Sequence, residues 1–394
     1  MNVIVPHGGS RAWPRRVLMT ADAMGGVWQY ALDLARGLCR GGSEVLLAVM
    51  GDAPGAQQRA AAAAVPGLHL VSAPYRLEWM EDAAADVDAA GVWLLTLARR
   101  FHPGVVHLNG YAHASLPWNA PVVVAAHSCV RTWWRAVHGE DPPPAAWDEY
   151  CAATARGLAA ADAVIAPTAA FLAMLEEAYG PIDTATVVHN GRAGAGAVPG
   201  SEKEPLILCA ARLWDEAKNA ACLDAAAAGL PWPVAIAGST EHPDGRFPDS
   251  FAYVRLVGSL SDAELRSWCN RAAVYVSPAL YEPFGLAILE AAQSGCALVL
   301  SDISTLRELW DGAAAFVPPR DPLALRQALV ELIADAGRRR ALADAALVRA
   351  RCYTPETMLE GTLEAYARAA GRWSIASAAS GAEAALLAHG EALP

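Results

Sequence analysis

The sequence predicts an α/β protein with two Rossmann-like domains in tandem. Short apolar runs alternate with helix-forming stretches over residues 17–188, and the alternation resumes over residues 205–350. This pattern is typical of parallel sheets covered by helices. Residues 191–204 are rich in Gly, Ala and Pro and show little periodicity, so we predict a domain linker there.

The first domain begins with a short apolar strand, after an irregular lead-in over residues 1–16. A turn containing Gly25 and Gly26 follows this strand, and apolar residues then recur at helical spacing up to Leu38. Buried strands are predicted at 17–20, 45–50, 105–108, 122–126, 163–166 and 186–188.

The second domain repeats this alternation. Ser261 and Glu264 have the spacing of a capping box, which indicates the start of a helix. Helices are predicted near residues 322–335 and 338–350. Strands are predicted at 206–210, 233–237, 254–257, 273–277, 297–300 and 314–317. Ligands of such domains bind beyond the carboxyl ends of the strands, so we look for the site in those loops and in the cleft between the domains.

Composition excludes several classes of protein. The chain has 394 residues, 54% hydrophobic and 18% charged, which is typical of a globular protein. Its formal net charge of −11 argues against a general nucleic-acid or anionic-membrane binder. The eight cysteines form no CxxC and are expected to be core thiols in a reducing compartment. We recognise no signal peptide or membrane helix, so we expect a cytoplasmic protein.

The most informative segment is residues 277–292. A strand ends near Ser277, a loop carries Glu282, and a helix carrying Glu290 follows. Free N–H groups at the helix start favour a phosphate, and the two carboxylates can accept hydrogen bonds from sugar or ribose hydroxyls. We predict these N–H groups at Phe284, Gly285 and Leu286, with Pro283 in the first helical turn. Taken alone, two surface glutamates eight residues apart are common.

A second segment follows the first strand of the second domain. Arg212 and Lys218 lie on one loop, from which both can reach the cleft. Two cations there would hold a diphosphate and stabilise the charge that develops as it leaves. The alternative is an ordinary charged loop balanced by Asp215 and Glu216.

Together these segments resemble the family 4 retaining glycosyltransferases, which have the GT-B architecture of two facing Rossmann-like domains. Glu282 and Glu290, with Pro-Phe-Gly-Leu between them, resemble the E-x7-E signature of that family. Over about residues 17–370 the other motifs occur in the family's order: Gly25-Gly26, then Val188-His189-Asn190-Gly191 (His189 in place of Pro), then Arg212 and Lys218-Asn219.

The resemblance implies a role for each matching residue. Glu290 would bind the nucleotide ribose, and Glu282 would contact the donor sugar together with backbone amides of residues 284–286. Arg212 and Lys218 would bind the diphosphate. His127 would match a histidine that contacts the donor sugar, although Ser128 departs from the usual His-Asp or His-His pair. Gly25 and Gly26 would let the first helix approach the phosphate and the acceptor.

The resemblance also implies the reaction and the domain roles. A hexose would move from a nucleotide sugar, a UDP-sugar or else a GDP-sugar, to an acceptor hydroxyl with retention and without a metal or other cofactor. Residues 1–195 would form the acceptor side and 196–353 the donor side. A helix over 354–372 would cross back to the first domain, before an Ala-rich tail over 373–394. The D-x-D at Asp86–Asp88 lies in an Ala-rich, helical stretch and is not expected to bind metal.

The sequence indicates less about the acceptor, which is left open as a glycan, a lipid-linked molecule or a small molecule. Eight of the 13 tryptophans precede residue 191, and aromatic faces suit sugars or apolar rings. A cluster just after His127 is predicted to lie on a loop. Candidate acceptor residues are Trp28, Arg131, Trp133 and Trp134, the alternative being that most of these tryptophans are core.

Other functions stay open. A sugar-nucleotide epimerase on the same fold would form product without an acceptor, and a non-catalytic sugar-nucleotide-binding protein would show no turnover. A glycan phosphorylase would need a lysine-bound pyridoxal cofactor and a longer chain. A nicotinamide oxidoreductase would have G-x-G-x-x-G after the first strand, where this chain has only Gly25-Gly26.

Overall fold

The computed structural model describes residues 13–194, 203–241 and 250–390, with side chains in the last helix described to residue 376. The predicted boundary at 195/196 therefore lies outside the described residues. Two all-parallel sheets, of seven and six strands, confirm the predicted pair of Rossmann-like domains.

The first domain has strand order β3-β2-β1-β4-β5-β6-β7. Its strands are β1 (Arg16–Asp22), β2 (Glu44–Met50), β3 (Leu68–Ala73), β4 (Val105–Leu108), β5 (Val122–Ala125), β6 (Ala163–Ala166) and β7 (Ala185–Val187). Its helices are α1 (Gly26–Arg40), α2 (Ala56–Ala63), α3 (Ala84–Phe101), α4 (Val130–His138), α5 (Pro144–Ala160) and α6 (Ala169–Tyr179), with a 3-10 turn at Ala112–Ser115.

The second domain has strand order β10-β9-β8-β11-β12-β13. Its strands are β8 (Glu204–Ala210), β9 (Val234–Ala237), β10 (Arg255–Gly258), β11 (Ala272–Ser277), β12 (Ala297–Ser301) and β13 (Ala315–Val317). Its helices are α7 (Ala220–Ala227), α8 (Asp262–Arg271), α9 (Leu286–Gln293), α10 (Ser304–Trp310), α11 (Pro322–Ala334) and α12 (Ala336–Ala350), with a 3-10 turn at Glu216–Lys218.

Two elements of the first domain differ from the sequence expectation. The edge strand β3 was not predicted, because none of its six residues is fully buried and it lacks a continuous apolar core run. The stretch after His127 was predicted as a loop but forms helix α4. Thr132 and Val137 are buried in α4, whereas the side chains of its basic residues stay about 30% exposed, so the short helix is amphipathic.

Each sheet has a switch point that directs loops to the cleft. In the first, β1 lies between β2 and β4, and in the second β8 lies between β9 and β11. Successive connections leave such a pair of strands in opposite directions, which opens a crevice at their carboxyl ends. The loops after β1, β4, β8 and β11 therefore meet between the two domains.

Helix α13 (Pro355–Gly390) starts at the second domain and packs on the first. Met358, Tyr366 and Ala369 are buried in the same core as β1 and α1. The Tyr366 hydroxyl lies 3.0 Å from Nδ1 of buried His107, whose Nε2 is 3.4 Å from the Tyr30 hydroxyl. The helix continues through residue 390, beyond the predicted end at 372.

The connection between the domains passes very close to the start of α13. The backbone N–H of Arg192 donates to the carbonyl of Tyr353 at 3.2 Å. A Cβ on Gly191 would lie 1.9 Å from the Thr354 carbonyl oxygen, which is backbone and cannot move aside cheaply. Only glycine therefore allows the two crossing segments to approach this closely.

We predict that Gly191→Ala destabilises the protein, because the new methyl group overlaps the Thr354 carbonyl. Overpacking of this kind costs about 1–3 kcal/mol or more. Urea unfolding of both proteins measures the difference. Gly371→Ala is the matched control: this exposed residue of α13 has no atom within 4 Å of its Cβ position. It should be neutral or stabilising, and an equal effect of both substitutions would contradict the steric argument.

We also predict that His107 makes the protein less stable in acid. Burial, reinforced by nearby His127, lowers the pKa of His107 from 6.5 to about 3. The unfolded chain therefore takes up a proton as the pH falls through 6.5, whereas the folded protein does not. Between pH 7 and pH 5 this costs about 2 kcal/mol.

The measurement is the free energy of unfolding at both pH values for the wild type and His107→Gln. The variant should lose about 2 kcal/mol less between pH 7 and pH 5, whatever its absolute stability. His69→Gln makes the same change at an exposed site on β3. A wild-type pH dependence in His107→Gln would contradict the assignment.

Candidate functional site

A cleft of about 2150 Å³ separates the two domains, and both domains line it. From the first domain come the loops after β1, β4 and β5, and from the second those after β8 and β11. Gly25, Gly26, His127, Trp133 and Trp134 line the first-domain side. Among the second-domain residues that line it are Arg212, Lys218, Glu282, Phe284, Gly285, Leu286 and Glu290.

The amino ends of α1 and α9 meet across the cleft. Gly25 has φ 63° and ψ −137°, a conformation that favours glycine, and α1 begins at Gly26. A Cβ on Gly26 would lie 3.4 Å from Cδ1 of Leu286, the first residue of α9. Helix amino ends carry unsatisfied N–H groups and partial positive charge, so two facing ends favour an anion between them.

The start of α9 lies later than the sequence predicted. Gly285, in the left-handed region with φ 86°, is the N-cap, and helical hydrogen bonding begins with Leu289 N–H to the Gly285 carbonyl. Pro283 therefore lies in the loop and not in the first turn. Its carbonyl accepts a hydrogen bond from Thr168 of the first domain at 3.1 Å.

The two predicted cations lie in the cleft, each beside a carboxylate. Arg212 Nη2 is 2.9 Å from Asp215 Oδ2, and Lys218 Nζ is 2.8 Å from Glu282 Oε2. Burial alone would raise the pKa of Asp215, but the charges of Arg212 and Lys218 and the hydrogen bonds from Trp133 and Arg212 together lower the pKa. Lys218 and Glu282, which are 64 residues apart in the sequence, form an ion pair that lines the cleft.

Asp215 also joins the two domains. Its Oδ1 accepts hydrogen bonds from the Trp133 indole N–H at 3.0 Å and from the Ala217 N–H at 3.1 Å. The Arg212 guanidinium lies over the Trp214 ring, 5.0 Å from its centroid. Trp214 in turn lies nearly parallel to Trp79 of the first domain, at 14° with centroids 6.4 Å apart.

His127 presents a neutral imidazole with a defined tautomer. The Asn109 side-chain amide donates to the Thr20 carbonyl at 2.6 Å, so its oxygen is an acceptor. His127 Nε2, 2.7 Å from that oxygen, must therefore carry the proton, which leaves Nδ1 with a lone pair. Burial, which disfavours the charged imidazolium, lowers the pKa of His127 to about 4. Asn109 and Thr20, which set the tautomer, were not identified from the sequence.

Asp22, at the end of β1, is another cleft residue that the sequence did not single out. One carboxylate oxygen accepts the Met24 N–H at 2.7 Å and so shapes the turn before Gly25. Burial raises the pKa of Asp22 to about 6. The hydrogen bond from Met24 and the charge of Arg212 lower the pKa, but by less than burial raises it.

Glu290 lines the cleft, but its side chain is mostly buried and ion-paired. Its Oε1 accepts a hydrogen bond from Nε of Arg192, and the two side chains are 11% and 5% exposed. Burial raises the pKa of Glu290 even though Arg192 lowers it. Arg192 lies in the predicted linker and was not identified as a site residue from the sequence. The feature that could have identified it is that Arg192 is the only Arg or Lys among residues 184–201, which are mostly small or apolar.

Two of the four acceptor candidates do not face the cleft with their side chains. Trp28 is only 1% exposed and packs in the first-domain core. Arg131 is held by Asp141, 2.5 Å from its Nη2, and donates to the Ala178 carbonyl at 2.9 Å. We therefore leave both residues out of the acceptor site.

Trp134 and Trp133 line the cleft with His138, also on α4. The ring centroids of Trp134 and His138 are 4.4 Å apart, and those of Trp133 and Trp134 are 5.8 Å apart. Trp133 is constrained by its bond to Asp215, whereas Trp134 is half-buried. Trp134 thus offers the freer aromatic surface.

Asp86 and Asp88 lie within helix α3, as the sequence predicted. In the described ranges, no group of three or more His, Cys, Asp or Glu side chains is arranged to hold a metal ion. No described helix is both long and apolar enough to cross a membrane.

Comparison with protein families matches both domains. Residues 24–192 match the model "Glycosyltransferase Family 4", and residues 204–335 match "Glycosyl transferases group 1". The chain is 28% identical to D-inositol 3-phosphate glycosyltransferase of Xylanimonas cellulosilytica over 90% of this chain and 94% of that protein. It is 26% identical to O-antigen chain mannosyltransferase B of Escherichia coli, over 41% of this chain and only 37% of that protein.

Solved structures share the fold. Sucrose-phosphate synthase of Thermosynechococcus elongatus superposes with a TM-score of 0.73 at 17% identity, over 89% of this chain and 98% of that one. Anabaena Alr3699/HepE, crystallised with UDP-glucose, gives 0.68 at 17% identity, over 89% and 98%. These likenesses and the two parallel sheets confirm the predicted GT-B fold. With its matches to both family models, the chain belongs to the family 4, or group 1, glycosyltransferases.

Proposed function

We propose that the protein transfers a hexose from a nucleotide sugar to an acceptor hydroxyl, with retention at the anomeric carbon and without a metal. The observation that carries this proposal is the meeting of the α1 and α9 amino ends beside Arg212 and Lys218. Two helix ends and two cations around one cleft suit a diphosphate.

The proposed donor is a UDP-hexose. HepE, which shares the fold, was crystallised with UDP-glucose, and this makes a uridine donor the first to test. The phosphates would lie against the N–H groups of residues 284–286 and beside Arg212 and Lys218. Glu282, already close to Lys218, would accept hydrogen bonds from the sugar, and Glu290 from the ribose.

In the proposed reaction, the bond between the anomeric carbon and the phosphate oxygen breaks as the acceptor oxygen bonds to that carbon on the same face. The leaving phosphate takes the acceptor proton, so no separate base is required. Arg212, Lys218 and the helix ends stabilise the negative charge that grows on the diphosphate. These groups perform the task for which other enzymes use a divalent cation. His127, neutral and hydrogen-bonded through Nε2, would contact the donor sugar through Nδ1.

The proposed acceptor site is the aromatic part of the cleft. Trp134 and His138 on α4 lie on the first-domain side, and Trp79 and Trp214 face each other where the domains approach. Trp214 contacts Arg212, so an acceptor on these rings would lie beside the proposed diphosphate. Aromatic faces bind the apolar face of a sugar or a flat apolar ring.

We predict that the wild-type protein binds UDP or UDP-glucose in the presence of a chelator and that Arg212→Ala weakens this binding about 10- to 100-fold. Hydrogen bonds to a charged group are each worth about 1.5–3 kcal/mol. Calorimetric titration with UDP, UDP-glucose, GDP and GDP-mannose measures this and identifies the base. Arg307→Ala removes an exposed arginine that pairs with Asp302 outside the cleft, and it should bind like the wild type.

Turnover then separates the remaining functions. Consumption of the donor only when an acceptor is added supports a transferase, whereas a new sugar nucleotide formed without one indicates an epimerase. Binding that requires added Mg²⁺ would contradict metal independence. Absence of binding to all four nucleotides would contradict the proposed donor.

We predict that Trp134→Ala raises the acceptor Michaelis constant about 5- to 30-fold and leaves donor affinity unchanged. A lost aromatic contact of about 1–2 kcal/mol gives this change. Trp134 is a cleaner choice than Trp133, whose indole also bonds Asp215 across the domains. Steady-state kinetics with an acceptor found by screening measures the effect, and Trp93→Ala on α3 is the control. An unchanged Michaelis constant would remove Trp134 from the acceptor site.

A further inference from the structure

We propose that Arg192 is a positioning residue for the donor: it orients Glu290 toward the ribose and holds α1 against α9. This inference rests on the proposed function, because it assumes that Glu290 meets a nucleotide ribose. Arg192 contacts neither the proposed diphosphate groups nor Glu282, and it acts through other residues.

The Arg192 guanidinium uses all three nitrogens. Nε bonds Glu290 of α9, and Nη2 bonds Asp262 Oδ2 at 2.7 Å, at the first residue of α8. Nη1 bonds Asp33 Oδ2 at 3.0 Å and Gln29 Oε1 at 2.8 Å, both on α1. We call these five residues the Arg192 cluster. It joins helices of both domains through one side chain that is 5% exposed.

The cluster contains more negative than positive charge. Asp33, Asp262 and Glu290 surround Arg192, and Arg36 neutralises the other oxygen of Asp33 at 2.9 Å. Without the Arg192 charge, the largely buried carboxylates of Asp33 and Glu290 would repel one another across the domain interface. Removal of Arg192 would therefore weaken the contact between α1 and α9, while the hydrogen bond from Gln29 Nε2 to Asp262 Oδ1 at 2.7 Å would still join α1 to α8.

The position of the cluster matters for the donor. Gln29 and Asp33 are four residues apart and so lie on one face of α1. Gly26, one turn before Gln29 on the same helix, contacts Leu286 at the start of α9. One turn of α9 separates Leu286 from Glu290. Arg192 therefore holds the two helices together one turn behind the ends that would bind the diphosphate.

Arg192 also determines which part of Glu290 is available. Arg192 Nε donates a hydrogen bond to Glu290 Oε1, which fixes the rotation of the carboxylate. Glu290 Oε2 is then left to accept hydrogen bonds from the ribose hydroxyls. The planar guanidinium can bond residues of three helices at once, which a lysine ammonium with its single nitrogen cannot do in the same geometry. Lysine should therefore restore the charge but only part of the orientation.

The test compares the dissociation constants of UDP and of 2′,3′-dideoxy-UDP, which lacks both ribose hydroxyls. In the wild type we expect UDP to bind about 10-fold more tightly or better. In Arg192→Met, as in Glu290→Ala, we expect this ratio to fall to about 1, and in Arg192→Lys to an intermediate value. Opening of the cleft or loss of stability alone would weaken both ligands equally and leave the ratio unchanged.

Arg271→Met is the matched control, because Arg271 of α8 pairs with Glu204 outside the cleft. It should keep the wild-type ratio. A wild-type ratio in Arg192→Met would overturn the inference while leaving the proposed function intact. Failure of the wild-type protein to bind UDP would instead overturn the proposed uridine donor and, with it, the inference.

Discussion

The guanidinium of Arg192 donates hydrogen bonds to carboxylates of both domains, and these bonds join α1 to α8 and α9 beside the cleft. A buried cation is costly unless it is paired, and here three carboxylates pair with it from three helices. The crossing at Gly191 and Thr354 brings the connecting segment to this place. The ends of α1 and α9 then meet, and the loops after β1 and β8 face each other.

The strands were the part of the fold that the sequence predicted best. A strand in the interior of a parallel sheet is buried on both faces and appears as an apolar run, as Val122–Ala125 and Ala272–Ser277 do. The edge strand β3 has no such run, because one side of it faces solvent. Helix α4 was missed because nine residues are too few to show a clear helical period, and the stability of so short a helix depends on contacts with other elements.

The candidate site likewise contains residues that the sequence could predict and residues that it could not. Glu282, Arg212 and Lys218 could be located because each lies a few residues after a buried strand, and parallel topology brings such loops together. Which way a side chain points is a tertiary property. The apolar character of Trp28 suits a core as well as a pocket, and nothing local in the sequence indicates that Glu290 meets an arginine 98 residues away. The asparagine that fixes the tautomer of His127 is likewise brought there only by the neighbouring strand.

The pairing of charges in the cleft has a consequence for how an anion would enter. Arg212 and Lys218 each contact a carboxylate, so a diphosphate must replace or share these bonds and gains only the difference in free energy. The same pairing holds both cations in place before the ligand arrives, which lowers the entropy lost on binding. Glu282, released in part from Lys218, could then turn to the hydroxyls of a sugar. Such a site favours a ligand that carries phosphates and hydroxyls together, because only that ligand satisfies both members of the Lys218–Glu282 pair.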